Sequence, residues 1–264
     1  MSTLRGEVNE RRLMPAQGNS GPPVGGEPGE LAQSRLYYRA GAASGVLGVV
    51  LLVFGTALHP VPADVNDAAV AFAVYAEVSR PAWLAAHLLP LVGITGMVLA
   101  MVLLSRAIAT TGTGNLWARL TGVTGGAAIA VTAALQAVDG VALKATVDMW
   151  AHAATADRPA LFPAAQAVRQ VEIGLDAVFS LSLALTTLAF AGVLWEARRV
   201  GRILAGVSLT TAATAAVAGV LFGLQGFSPA AMNAGMASGL LGIVLTVAAA
   251  AWVRRRTTDS GAPK

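Results

Sequence analysis

Ile173-Gly-Leu-Asp-Ala-Val-Phe-Ser-Leu-Ser-Leu-Ala-Leu-Thr-Thr-Leu-Ala-Phe-Ala-Gly-Val-Leu-Trp195 decides the fold class. It carries one ionisable side chain, Asp176, close to its start. About 20 such residues cross the hydrocarbon core of a bilayer as a helix. Backbone amides in lipid find no water, so the segment must satisfy them internally, as a helix does. Five further runs read the same way, at about 40–59, 83–105, 117–138, 203–223 and 235–253. The alternating pattern of a membrane β-barrel is absent. The expected fold is all-α, a polytopic bundle of six transmembrane helices over residues 37–256.

Composition agrees. Of 264 residues 55% are apolar, 29 more are Gly, and 12% are charged, about half the ~25% usual in soluble domains. With no Cys, disulfide scaffolds, thiolate metal sites and Cys nucleophiles are excluded. The net charge of +4 does not point to nucleic acid, because the basic residues flank the apolar runs as membrane topology demands. Residues 1–36 are rich in Gly, Pro and Glu and lack an apolar core. They are expected to be a disordered cytoplasmic tail, with 257–264 a second, short one.

Arg and Lys set the orientation. With the N-terminus in the cytoplasm, 14 of the 18 basic residues lie inside and only Arg80, Lys144, Arg158 and Arg169 outside. The expectation is a cell-membrane protein with both termini cytoplasmic. Tyr37, Tyr38, Trp117, Trp195 and Trp252 fall at the inner boundary and Trp83 near the outer one. Outside, residues 64–79 read as a short helix capped by Asp67 or Asp64. Span three is expected to continue as helix to about Thr155. Arg158-Pro159 then breaks it, and Pro163 opens span four from a first-turn position.

Counting ~1.5 Å per helical residue from the inner Arg of each span puts His59, His87, Asp139 and Asp176 at nearly one level, the outer boundary. Glu172 lies a turn further out, and Gln136 almost a turn deeper. With Lys144 these form a candidate polar pocket: His59, His87, Gln136, Asp139, Lys144, Glu172 and Asp176. Pro90 should kink span two just beyond His87. Within the pocket, His59, His87, Asp139 and Asp176 have the ligand types of a divalent transition-metal site. A metal-free cluster of ion pairs and hydrogen bonds is the simpler expectation, since charges at membrane depth generally pair. No other cofactor is expected. Lys144 reads equally as a partner of Asp139, Glu172 or Asp176 and as part of a solvated face with local ion pairs, to which Asp148 and His152 are assigned.

The middles of the spans hold only Ser and Thr as polar groups, such as Thr95, Ser180, Ser182, Thr186, Thr211 and Thr246. Phosphate-loop, dinucleotide, HExxH and nucleophile-elbow motifs are all absent. Glycines four apart (Gly41 and Gly45, Gly122 and Gly126, Gly219 and Gly223, Gly235 and Gly239) offer helix-packing faces, within the chain, to a second copy or to a membrane partner.

Leu58-His59-Pro60, Ala86-His87-Leu88-Leu89 and Gln136-Ala-Val-Asp139-Gly-Val-Ala-Leu-Lys144 resemble segments of the uncharacterised six-span membrane proteins common in actinobacteria. The likeness spans residues 40–253 and implies an integral membrane protein, with no activity to carry over. The functional expectation is a non-enzymatic scaffold or subunit with an outward polar pocket. The alternatives are a transporter or binder of a small solute, and a metal protein or enzyme built on the outer His and Asp residues.

Overall fold

The computed structural model describes residues 28–109, 111–197 and 199–259. Among them the regular structure is helical throughout: α1 (Pro28–Ala57), α2 (Ala68–Glu77), α3 (Arg80–Ile108), α4 (Gly112–Ala137), a π segment (Val138–Leu143), α5 (Lys144–His152), α6 (Arg158–Trp195), α7 (Arg199–Gln225) and α8 (Pro229–Asp259). Six helical stretches are long and apolar enough to cross a membrane: α1, α3, the continuous run from α4 through α5, α6, α7 and α8.

The six spans form a ring in which α1 packs on α3, α3 on α4, α4 on α6, α6 on α7, α7 on α8 and α8 back on α1, with α3 and α6 also touching. Large apolar side chains such as Leu47, Val50, Val123, Leu185 and Val217 remain exposed on the outer faces. In water such a surface would drive association; in lipid it is the expected exterior. Ser182, Thr186, Thr211 and Thr246 each donate to the carbonyl four residues back, so these hydroxyls are satisfied within their own helices.

The tightest helix contact joins α1 to α3. A Cβ on Gly48 would lie 2.6 Å from the Gly93 carbonyl oxygen, and one on Gly96 2.8 Å from that of Ser44. Ser44 Oγ uses this approach to donate to the Gly96 carbonyl at 2.9 Å. Of the glycines singled out in the sequence, Gly122, Gly126 and Gly239 have no atom within 4 Å of a Cβ position. Gly41, Gly45, Gly219 and Gly235 of the same pairs do face a neighbouring helix, with a Cβ 2.8 to 3.1 Å from its nearest atom.

Several boundaries differ from expectation. α1 begins at Pro28, so residues 28–36 are helical; Pro is suited to the first helical position, where its missing N–H costs nothing. The earlier tail, residues 1–27, and residues 260–264 lie outside the described residues. Pro159 takes the first-turn position of α6, leaving Pro163 inside the helix. Span three ends at His152, and Arg158 closes it by donating to the carbonyls of Ala151 and Ala153, which offsets the orphan acceptors of a helix C-terminus. As expected, α2 lies between two spans. Asp67 is its cap, accepting from the amides of Ala69 and Val70, while Asp64 holds the preceding turn. Trp83 is fully buried within the protein.

Candidate metal centre

One end of the bundle gathers the ionisable residues. There, α2 and α5 lie over the mouths of α3 and α6, and Phe72, Tyr75, Trp83, Leu143, Val147 and Ala165 form a buried aromatic and aliphatic cluster. His59 sits in the turn just past α1, His87 two turns into α3, and Asp139 in the π segment. A single π turn inside a helix widens the ladder by one residue and recurs at functional sites. Trp83 ties this one to α3: its indole Nε1 donates to the Asp139 carbonyl at 3.3 Å. Gly140 permits the close approach, since a Cβ there would lie 2.9 Å from His87 Cβ.

One ring nitrogen of His59, one of His87 and a carboxylate oxygen of Asp139 all lie within 4.8 Å of one another. The two imidazole centroids are 5.0 Å apart, and Trp83 stacks on His87 at 4.4 Å. His87 Nδ1 donates to the Trp83 carbonyl at 2.7 Å and His59 Nδ1 to the Pro60 carbonyl at 2.8 Å. In the neutral rings these bonds place the hydrogen on Nδ1 and leave Nε2 as the nitrogen with a free lone pair. Asp139 Oδ2 is 3.0 Å from His87 Nε2, within ion-pairing distance. Burial holds the His59 imidazole below its ordinary range; the Asp139 carboxylate opposes this and His87 adds to it. Burial raises the Tyr75 phenol, against the nearby Arg169 guanidinium.

Asp176 does not join this group. Depth counting fixes height along the bilayer normal but not rotation about the helix axis, and α6 turns Asp176 toward a cavity between the spans. Lys144 also departs from expectation. It is buried and donates to the Tyr75 carbonyl at 2.9 Å and to Asp148 at 2.7 Å. Asp148 therefore does not lie on a simply solvated face: it bridges Lys144 and Arg80, the latter also at 3.0 Å. His152 is exposed, as expected. Glu172 and Gln136 are buried at this end, each with one oxygen lacking a hydrogen bond.

Sequence reasoning missed three contributors. Arg169 is 2% exposed; it donates to the Val65 carbonyl and lies 5.1 to 5.8 Å from the Phe227, Phe72 and Tyr75 rings, a desolvated cation–π arrangement. Its place in the Arg169, Glu172, Asp176 stripe was visible; its burial was not. Trp83 and Tyr75 wall the imidazoles, and only their proximity to His87 along the chain or in type hinted at it. Comparison with protein-family models, curated proteins and solved structures finds no match to the chain.

Proposed function

We propose that this multi-pass protein lies in the cell membrane with both termini cytoplasmic and binds one divalent transition-metal ion, zinc by donor type, at the outer boundary through His59, His87 and Asp139. The distribution of basic residues supports the orientation. The observation that carries the metal reading is the pair of imidazoles, each with Nδ1 on a backbone carbonyl, converging on a carboxylate. Ligating histidines characteristically donate their other ring N–H in this way, which fixes both tautomer and ring orientation. Tetrahedral zinc with bonds of about 2.0–2.1 Å sets its ligand atoms roughly 3.3 Å apart. The observed separations, 3.0 Å for one pair and within 4.8 Å for all three, bracket that value. Three protein ligands leave a fourth position for water or a solute.

The test is zinc titration of purified, metal-stripped protein in detergent, with bound metal counted per chain. One zinc per chain is expected, with affinity reduced by about 10- to 100-fold or more in His87→Ala and Asp139→Ala and unchanged in His152→Ala. Absence of stoichiometric binding after zinc, copper and iron are each resupplied would return the cluster to an ion pair within a non-enzymatic scaffold. The 3.0 Å His87–Asp139 contact favours that second reading.

A further inference from the structure

The bundle encloses a cavity of about 660 Å³ among α1, α3, α6, α7 and α8, within the size range of sites for drug-sized molecules. Its walls are mostly aliphatic and thioether side chains, Met97, Met101 and Met236 among them, with a few hydroxyls and one carboxyl group, Asp176. Methionines adapt to varied apolar shapes. The cavity opens sideways. α1 and α8 close on each other where a Cβ on Gly45 would lie 2.8 Å from Thr246. Nearer the polar end Val53 of α1 and Met236 and Leu240 of α8 line the cavity and stay exposed, leaving a gap to the side. A lipid-dissolved molecule can enter through this gap.

Asp176 is the odd group on that wall. It makes no hydrogen bond or ion pair with any described residue, and its charged neighbours on the same side, Asp139 and Glu172, are of like sign. A carboxyl group that faces an apolar cavity without a partner is unfavourable, and a donor of opposite charge relieves the cost. Every other lining group is apolar or a hydroxyl, so the complementary molecule has one cationic donor and an apolar body.

We propose that the cavity binds a lipophilic amine, whose ammonium group donates to Asp176 and whose hydrocarbon body lies among the α1, α3 and α8 side chains. The site is separate from the metal centre and does not rest on it.

Photolabelling tests the assignment. The full chain in lipid nanodiscs is exposed to a long-chain primary amine carrying a diazirine in its tail, and labelled residues are mapped by peptide sequencing. Saturable labelling of cavity residues such as Met97, Met236 and Leu240 is expected. Dodecylamine should compete at least about tenfold better than dodecanol or dodecanoic acid, the order of a charge-assisted hydrogen bond. Asp176→Asn should erase that preference. Gly239→Leu should abolish labelling by filling the space, because a Cβ at Gly239 meets no atom within 4 Å. Labelling confined to lipid-facing residues such as Leu47 and Val123, or equal competition by dodecanol in the unaltered chain, would overturn the proposal. So would an undiminished amine preference in folded Asp176→Asn. The competition series uses the unaltered chain and decides the matter even if both variants fail to fold.

Discussion

At the end carrying Arg106 and Arg119, Met101, Leu104, Phe190, Leu194, Leu245 and Val253 pack into a cluster of buried apolar side chains. At the opposite end, Phe72, Tyr75, Trp83, Leu143 and Val147 are also buried together, but beside an arginine, a lysine and two imidazoles. The connections differ accordingly. Three residues, 109–111, join α3 to α4 at the first end, and three, 196–198, join α6 to α7. At the polar end the chain interposes α2 and α5. α5 and the connection from α1 to α3 supply partners for the polar groups: the Tyr75 carbonyl receives Lys144, the Val65 carbonyl receives Arg169, and Asp148 pairs with both Lys144 and Arg80. The first end closes with short connections around its apolar cluster. The polar end draws carbonyls and carboxylates from its longer segments, since a buried charge is tolerated only when paired.

The sharpest way to break this comparison is to remove one large aromatic from each end. Trp83→Ala and Phe190→Ala should each destabilise by about 3–5 kcal/mol, as large-to-small core changes do. Only Trp83→Ala should also weaken zinc binding, because it removes the ring stacked on His87. Denaturation in detergent alongside zinc titration reads both effects. Equal zinc affinity in the two variants would mean that the aromatic wall is packing alone.

A smaller contrast comes from two glycines. Gly140→Ala should cost about 1–3 kcal/mol through overpacking against His87, whereas Gly122→Ala, with open space at its Cβ, should be neutral or stabilising by up to about 1 kcal/mol on helix propensity. Thermal melts of the two variants compare them directly, and similar losses would show that the π segment can shift away from α3.

The smallest effect is a pH dependence confined to the polar end. Burial lowers the His59 pKa in the folded chain, so the unfolded chain binds the proton more readily. The stability contributed by neutral His59 is therefore fully present above its unfolded pKa of about 6.5 and is lost as pH falls toward and through the depressed folded value. In metal-free protein, Tm should drop more between pH 7.5 and 5.5 in the unaltered chain than in His59→Gln. An identical drop in both would assign the acid sensitivity to other groups.

The six spans were legible because apolar length is a local property of the sequence, and Asp67 announced α2 through its capping chemistry. The π segment at Val138–Leu143 was not, since no residue type there distinguishes it from an α-helix. Lys144 could be seen as the lone lysine between acidic helices, yet its partner, Asp148, lies one turn along its own helix and had been read as solvated. Of the four residues grouped by depth, His59, His87 and Asp139 come together and Asp176 faces the cavity, because rise per residue gives height, whereas azimuth depends on how each helix is turned against its neighbours.

The sequence by itself determined that the chain is a bundle of six membrane-length helices with polar residues at one level. Backbone hydrogen bonds must close within each apolar stretch, and each residue adds a fixed rise. The tertiary structure alone decided which of those residues meet. The close contact of Gly48 with Gly93, the π turn carrying Asp139 and the seat of Gly140 on His87 set rotations that no count along the chain contains. Those rotations put two imidazoles and one carboxylate together and turned the other, Asp176, into the cavity.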